Sequence, residues 1–383
     1  MTRDDQINDF LTAAGWGDAK RSMLAGDASA RRYERIAGPQ GKAVLMDAPP
    51  EPGEVADGQA TGYSAIAHLA VDCRPFVSIA RHLKRFGFST PTILAEDVAN
   101  GLLLLEDLGD DVFVSLLSGS KIDRALEREL YAGAVDLLVD LHSRQEQGPL
   151  LGAKNGVPHE VAPYDAAALK IETELVVDWY LPGIMGIPEV PSDIRQSYLD
   201  AWQALLPQMQ EPKPVLCLRD YHAGNLIWLP DREGPARIGL LDFQDAVLGA
   251  RSYDLMSLLQ DARRDVSADL EAEMLDRYIA ASRDIDASFD EAGYRARYAL
   301  LGAQRNAKIV GIFMRLWLRD GKKSYLQHLP RVWRCLERNL THPSLNTLKA
   351  WFDDNVPRKV RLTVPDPEAI AENIPKRIIG AAG

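Results

Sequence analysis

The chain has 383 residues, enough for two domains of ordinary size or one large one. Hydrophobic residues make up 46% and charged residues 26%, a globular balance that argues against wholesale disorder. Its 55 acidic against 44 basic residues give a net charge of −11, which argues against nucleic acid or an anionic membrane as the principal partner.

Cys73, Cys217 and Cys335 lie far apart and form no CxxC pair, so neither a disulfide framework nor a thiolate zinc site is indicated. They read as buried free thiols in a reducing cytosol. The opening MTRDDQINDFLTAAG has no apolar core of signal-peptide length, and no stretch approaches the ~20 apolar residues of a membrane span. A cytoplasmic protein is expected.

Ile7, Phe10, Leu11 and Ala14 recur at helical spacing, with Gly15 as a stop. Residues 21–25, 32–37 and 43–48 read as three short strands, and 49–74, rich in Pro, Gly and polar residues, as a long mobile connection. A helix follows from Pro75, with Phe76, Ile79, Ala80 and Leu83 on one face and Gly87 ending it. Thr92–Val98 and Leu102–Asp107 form two strands around Asn100-Gly101, a tight-hairpin signal. Helices are expected near 122–146, 165–181, 193–207, 252–264, 267–283, 289–318 and 324–339. One β-like island interrupts them at Val215–Leu218, Leu226–Leu229 and Ile238–Phe243, with residues 230–234 as a hairpin turn. The stretch 356–383, rich in Pro and basic residues, has no clear period and reads as a surface or disordered tail.

The polar residues gather in that island: Leu218-Arg-Asp220-Tyr-His222-Ala-Gly-Asn225, a hairpin, then Leu240-Leu-Asp242-Phe-Gln-Asp245. Two carboxylates and an amide oxygen, brought to one end of a ladder, suit Mg²⁺ with waters and substrate phosphates in its remaining positions. Asp245 is either a second acidic contact or a turn former. His222 reads as a packing or hydrogen-bonding residue rather than a catalytic one.

This arrangement resembles the protein-kinase-like superfamily, specifically the aminoglycoside phosphotransferase family of small-molecule kinases. The resemblance implies that Asp220 orients and deprotonates the acceptor hydroxyl, while Asn225 and Asp242 hold Mg²⁺ against the phosphates of ATP. It places Gly26, Ala28, Ser29, Arg31 and Arg32 in the nucleotide-covering loop, and Leu105, Glu106 and Leu108 around adenine, with main-chain contacts at 106–108. The strand lysine that pairs phosphates in the family is Met46 here, and 75–87 lacks the Glu that would partner it; Lys42, Arg31 or Arg32 is left to supply the cation. Several segments, among them Gly26-Asp-Ala-Ser, Leu103-Leu-Leu-Glu-Asp-Leu-Gly-Asp110 and Leu258-Leu-Gln-Asp-Ala-Arg-Arg-Asp-Val266, look like the anomeric N-acetylmuramate/N-acetylglucosamine kinases of cell-wall recycling.

The implied fold class is α+β: a bilobal protein-kinase-like fold with a small mixed β-sheet and one main helix in the N-lobe, and a larger, mostly helical C-lobe. The boundaries drawn are 1–107 for the nucleotide lobe, 108–113 for the hinge, 114–355 for the helical lobe and 356–383 for the tail. The expected reaction is ATP-dependent phosphorylation of the sugar 1-hydroxyl. The alternatives are an aminoglycoside-type or other hydroxyl-directed kinase and, in another class, a non-catalytic nucleotide-binding regulator. A carboxylated sugar calls for a basic residue; Arg251, Arg263 and Arg264 are candidates, with salt-bridged helix arginines as the competing reading. Asp245, Arg251 and Arg263 are the residues assigned to substrate.

Overall fold

The computed structural model describes residues 1–24, 31–49, 55–56, 59–60, 62–119, 122–144 and 159–373. The chain divides into two compact units, Met1–Ala162 with Leu218–Val247, and Pro163–Cys217 with Leu248–Gly383. Segment 218–247 thus packs in the same unit as the N-terminal strands, although some 110 positions of chain lie between them.

The first unit begins with α1 (Arg3–Ala13). Thr2 Oγ1 accepts from the Asp5 N–H and the Asp5 carboxylate accepts from the Thr2 N–H, a reciprocal cap that satisfies two orphan donors. Strands β1 (Lys20–Met23), β2 (Arg32–Gly38) and β3 (Gly41–Asp47) follow, then α2 (Gly62–Ile66), α3 (Arg74–Arg85), β4 (Ile93–Asp97) and β5 (Leu102–Glu106). The sheet runs β1-β2-β3-β5-β4 and every pairing is antiparallel, so the expected mixed sheet is corrected.

Side chains alternate across a strand. Ile36, Ala43, Leu45, Leu102 and Leu104 therefore share one face and close a core with Ile7, Phe10, Leu11 and Trp16. Tyr33, Met46 and Leu103 sit opposite one another on the other face, as do Arg35, Val44 and Leu105.

The Asn100-Gly101 turn differs from expectation. Val98–Asn100 forms a 3₁₀ turn capped by the Asp97 carboxylate, and Gly101 takes a left-handed φ of 66°. A Cβ there would overlap the Ala48 carbonyl, so the close approach of the two segments requires glycine. The 49–74 connection is also more ordered than expected over 62–74, where α2 and the start of α3 lie.

After α4 (Arg124–Ser143), whose Leu130, Tyr131, Ala134, Val135, Leu137, Leu138 and Leu141 are buried, come β6 (Leu226–Trp228) and β7 (Ile238–Leu240), paired antiparallel. Two neighbouring segments fix this hairpin. Leu240 N–H donates to Ser89 O (2.8 Å) and Trp228 N–H donates to Asp111 O (2.8 Å). The third predicted strand of the island, Val215–Cys217, does not join it but pairs with Val247–Gly249.

The second unit contains α5 (Ala166–Leu175), α6 (Ser192–Gln203), α7 (Ser252–Leu259), α8 (Ala268–Ile285), α9 (Glu291–Leu318), α10 (Leu329–Asn339) and α11 (Asn346–Asn355). The 28-residue α9 packs against α5, α7 and α10. The predicted helix 165–181 contains a π-helical stretch, Val176–Tyr180, before Leu181–Met185. Sequence reading overlooks α11, and the expected tail at 356–383 is helical over Arg358–Arg361 and Pro367–Asn373. Arg361 there is buried and donates to Val356 O and Phe352 O (2.9 and 2.6 Å), so this stretch is anchored; residues 374–383 lie outside the described residues. Of the thiols, Cys73 and Cys217 are buried, and burial pushes the Cys73 thiol up to about 12.

Gly311 lies where α9 crosses the end of α5: a Cβ would stand 2.5–2.6 Å from the Leu175 carbonyl group. Gly→Ala inside a helix ordinarily stabilises by ~0.5–1 kcal/mol. Gly311→Ala is expected to reverse that sign and destabilise by roughly 1–3 kcal/mol through overpacking, read as a lower urea midpoint at unchanged slope.

Candidate active site

The loop from Leu218 to Asn225 is shaped by its own backbone. Asp220 N–H donates to Leu218 O (2.8 Å), closing a three-residue turn in which Arg219 has φ of 65°. Positive φ is costly for a side chain of this size and persists only when its surroundings fix it. They do here. Arg219 is 2% exposed and its guanidinium donates to Ala67 O (2.8 Å), while the Tyr221 hydroxyl donates to Ala134 O (2.8 Å) in α4. His222 caps the following turn, its Nδ1 accepting from Gly224 N–H (3.1 Å) and its carbonyl from Asn225 N–H (2.9 Å). His222 thus makes the hydrogen bonds that fix this turn.

Asn225 is pinned from both sides: its Nδ2 donates to Asp220 O (2.9 Å) and its carbonyl accepts from Leu241 N–H (3.0 Å). With the amide nitrogen engaged, Oδ1 is the atom left to serve a cation. The Nδ2 also stands 3.5 Å from Asp242 Oδ2. Asp242, just past β7, has φ of 55° and is about one-fifth exposed. Its Oδ1 accepts from Gln244 Nε2 (2.8 Å) and lies 3.2 Å from Arg31 Nη2.

Burial pushes the Asp242 carboxyl up, Arg31 opposes this, and the charges of Asp220 and Asp245 add to the rise, leaving it at about 6. For Arg31, burial works against the charge, but Asp242, Tyr33, Asp245 and Asp220 outweigh it and the net shift is upward. Asp220, Asp242 and Asp245 therefore act on one arginine, with Asn225 bonded between the first two. Asn225 thus bonds to the Asp220 main chain and stands beside the Asp242 carboxylate, while the Asp220 carboxylate acts on Asp242 and Arg31 through its charge.

Excess negative charge with hard oxygen donors fits a divalent cation. Among the described residues no group of three or more His, Cys, Asp or Glu side chains is arranged to hold a metal. A site with one carboxylate and one amide oxygen, finished by waters and phosphates, remains the fitting design.

The other predicted residues divide. Gly26, Ala28 and Ser29 lie outside the described residues. Arg31 faces the acid cluster. Arg32 is exposed and in register with Asp47, hence on the α1 face of the sheet and not the Met46 face; a one-residue step along a strand reverses direction. Lys42 is opposite Ala37 near the β2–β3 turn and helps lower the Asp110 carboxyl, after the larger effect of Arg35. Leu105 is buried on the Met46 face.

Glu106 is held within the unit. Its N–H donates to Thr92 O (2.8 Å), and its carboxylate accepts from Thr92 N–H (3.0 Å) and Arg232 (3.0 Å). Its N–H is thus engaged within the unit. Arg35 braces the exit from β5 through Asp107 (2.7 Å) and Asp110 (2.8 Å).

Asp245 Oδ1 accepts from Ala70 N–H (2.6 Å), which ties the segment after α2 to the cluster and gives this residue a role within the chain. Arg251 contributes to lowering the Glu211 carboxyl, where burial raises it more strongly, and exposed Arg263 stands 5.9 Å over the Tyr325 ring. Arg264 is buried and donates to Asp265 O (3.4 Å). Sequence reading misses Arg219 and Gln244; each lies within the quoted motif, but only backbone geometry reveals what it holds.

A model of the phosphotransferase enzyme family matches residues 21–297. The chain belongs to that family. It is 41% identical over 363 residues, 92% of this chain and 96% of the relative, to the N-acetylmuramate/N-acetylglucosamine kinase of Caulobacter vibrioides. It is 33% identical to the enzyme of the same name from Pseudomonas aeruginosa, covering 87% of this chain and 88% of that one. Solved structures with a similar fold include the gentamicin complex of APH(2'')-IIa, with a TM-score of 0.53 at 11% identity over 87% of this chain and 96% of that one. Choline kinase from Cryptosporidium parvum Iowa II gives 0.51 at 9% identity over 93% and 98%. These likenesses establish the kinase-like α+β fold expected from the motifs. No helix among the described residues is long and apolar enough to cross a membrane.

The raised Asp242 carboxyl has a consequence for stability. Its folded value of about 6 lies above the ordinary 3.8, so the folded protein binds more protons between those values and ionised Asp242 destabilises it at neutral pH. Without metal or nucleotide, Asp242→Asn is expected to stabilise the protein by roughly 1–3 kcal/mol at pH 7. The gain should shrink as pH falls through 6 and vanish near 4, which paired thermal melts at several pH values would reveal.

Proposed function

We propose that this protein is an ATP-dependent sugar kinase that phosphorylates the anomeric 1-hydroxyl of N-acetylmuramate, N-acetylglucosamine or both, giving the α-1-phosphate in peptidoglycan recycling. The observation that carries the proposal is the meeting of Asp220, Asn225 and Asp242 around Arg31. The choice of sugar is supported by relatives of that name, the first of which matches 92% of the chain.

In this reading Asp220 accepts a hydrogen bond from the acceptor hydroxyl, turns its oxygen toward the γ-phosphorus and takes its proton. The new bond joins the sugar oxygen to the γ-phosphorus; the bond to the β–γ bridging oxygen breaks, and ADP leaves with that electron pair. An anomeric hydroxyl is more acidic than an ordinary alcohol, so one carboxylate suffices as base. Magnesium, held by Asn225 and Asp242, would supply charge neutralisation for the phosphate oxygens. Arg31 places a permanent cation beside the same group, the service that Met46 cannot give from β3. Leu105, Val44 and Met46 offer an apolar face for adenine, with main-chain contacts at Leu108. Asn225, fixed to the Asp220 carbonyl, keeps base and metal ligand in register.

The protein, incubated with ATP, Mg²⁺ and a panel of N-acetylhexosamines and aminoglycosides, is expected to yield a sugar 1-phosphate by product NMR. Phosphate on a ring or primary hydroxyl with no 1-phosphate would defeat the assignment. Asp220→Asn should lower kcat by about 10²–10⁴-fold while nucleotide affinity stays within a few-fold. Wild-type-like turnover in that variant would remove Asp220 from the chemistry.

A further inference from the structure

Gln244 is a buried amide whose side chain has a single partner among the described residues. It is 4% exposed, its Nε2 donates to Asp242 Oδ1 (2.8 Å), and its Oε1 is closed off from water without a hydrogen bond. Leaving a buried acceptor unpaired costs free energy, and a Leu or Met would fill similar space without that cost. Packing alone does not account for the amide. What the chain gains from it is the bond to Asp242.

The local backbone is shaped to make that bond. Phe243 is fully buried and stacks on Phe76 of α3, with ring centroids 4.8 Å apart and planes at 22°. Its carbonyl accepts from Ala246 N–H (3.1 Å), closing a turn over 243–246. With Asp242 at φ of 55° and this turn just after it, the amide of Gln244 returns to the carboxylate two residues earlier. All of these residues lie in the first unit.

The two oxygens of Asp242 are thereby made unequal. Oδ1 faces two donors, Gln244 Nε2 and, at 3.2 Å, Arg31 Nη2. Oδ2 has Asn225 Nδ2 at 3.5 Å, too long for a strong bond, and that nitrogen is committed to Asp220 O (2.9 Å). Of the nearby acids, Asp245 is tied to Ala70 N–H, and Asp220 acts on Asp242 through its charge. Oδ2 is therefore the oxygen that Asp242 can offer to a cation. The donors on Oδ1 respond differently to such an arrival: a divalent cation repels the guanidinium of Arg31, whereas the neutral amide of Gln244 can keep its bond.

A carboxylate with one oxygen held by a donor binds metal through the other. Mg²⁺ is small, demands near-octahedral geometry and takes few protein oxygens, while Ca²⁺ takes more oxygens and often uses both from one carboxylate. We infer that Gln244 is a positioning residue that reserves Asp242 Oδ1, so that Asp242 binds a cation through Oδ2 alone and the site favours Mg²⁺ over Ca²⁺. The inference deepens the metal–nucleotide reading above and rests on it.

The test is calorimetric titration of a non-hydrolysable ATP analogue at stepped concentrations of Mg²⁺ and, separately, of Ca²⁺. It uses the full-length protein, Gln244→Met and Gln244→Asn. Met keeps the length and loses the donor; Asn keeps the amide but falls one methylene short of Asp242. The stoichiometry of each titration counts folded protein, so a partly misfolded variant still yields its affinity. Gln244→Met is expected to raise the Mg²⁺ concentration at half of the gain in analogue binding about tenfold, with the Ca²⁺ requirement changed less than about threefold. Gln244→Asn should lower the Mg²⁺ preference in the same direction. A general loosening of the fold would weaken both ions alike; that result, or an unmoved ratio, overturns the inference while leaving the metal seat in place. If neither ion strengthens analogue binding to the unmodified protein, the metal reading itself fails and this inference with it.

Discussion

The ion pair between Arg31 and Asp242 is the constraint around which the first unit is organised. Three carboxylates, Asp220, Asp242 and Asp245, act on one largely buried guanidinium, and two backbone positions beside them, Arg219 and Asp242, have positive φ. Neither charge crowding nor such backbone is favourable in isolation. Gln244, Asn225, the Ala70 N–H and the Ala67 carbonyl hold the arrangement together. A folded protein that keeps so much negative charge in one place is preorganised for a cationic partner at some cost to its own stability.

In the proposed reading, the sheet explains why the cation would come from Arg31. Alternation assigns Met46 to the face opposite α1, where the buried residues Leu103 and Leu105 also stand. A methionine there extends an apolar surface, whereas a lysine would need a counter-charge that α3 does not provide. Arg31 enters just before β2 and meets Asp242 directly. The usual strand lysine and its helix glutamate are thus both absent without leaving the acid cluster uncompensated.

Much of this is legible in the sequence because it follows short-range rules. The period-two strands β1–β3, the helical stripes of α1 and α3, and the Asp220–Asn225–Asp242 spacing all lie within local windows. What is not legible depends on contacts between distant segments. Val215–Cys217 reads like a partner of the hairpin, but its apolar residues find Val247–Gly249 instead. The π-helical stretch at 176–180 adjoins Leu175, where α9 makes its close approach at Gly311, a crossing no local pattern announces. The basic residues of 356–361 suggest a loose tail, yet Arg361 is buried against Phe352, Asp353 and Glu337. At the site, residue types are readable, but the directions of Arg31 and Arg32 are not: the two differ by one step, and only strand register decides which faces the acids. Likewise Asp245, for which the sequence leaves two roles open, is bonded to Ala70 through a contact 175 positions away.

The central claim is that Asn225 and Asp242, beside Asp220 and Arg31, form a seat for a metal–nucleotide pair. Calorimetric titration of a non-hydrolysable ATP analogue, with Mg²⁺ and with chelator, on the unmodified protein and on Asn225→Ala, tests it most directly. The account predicts that Mg²⁺ strengthens binding to the unmodified protein about tenfold or more, as one or two charge-assisted contacts would, and that Asn225→Ala removes most of that gain. Equal affinity with and without Mg²⁺ in the unmodified protein would contradict it.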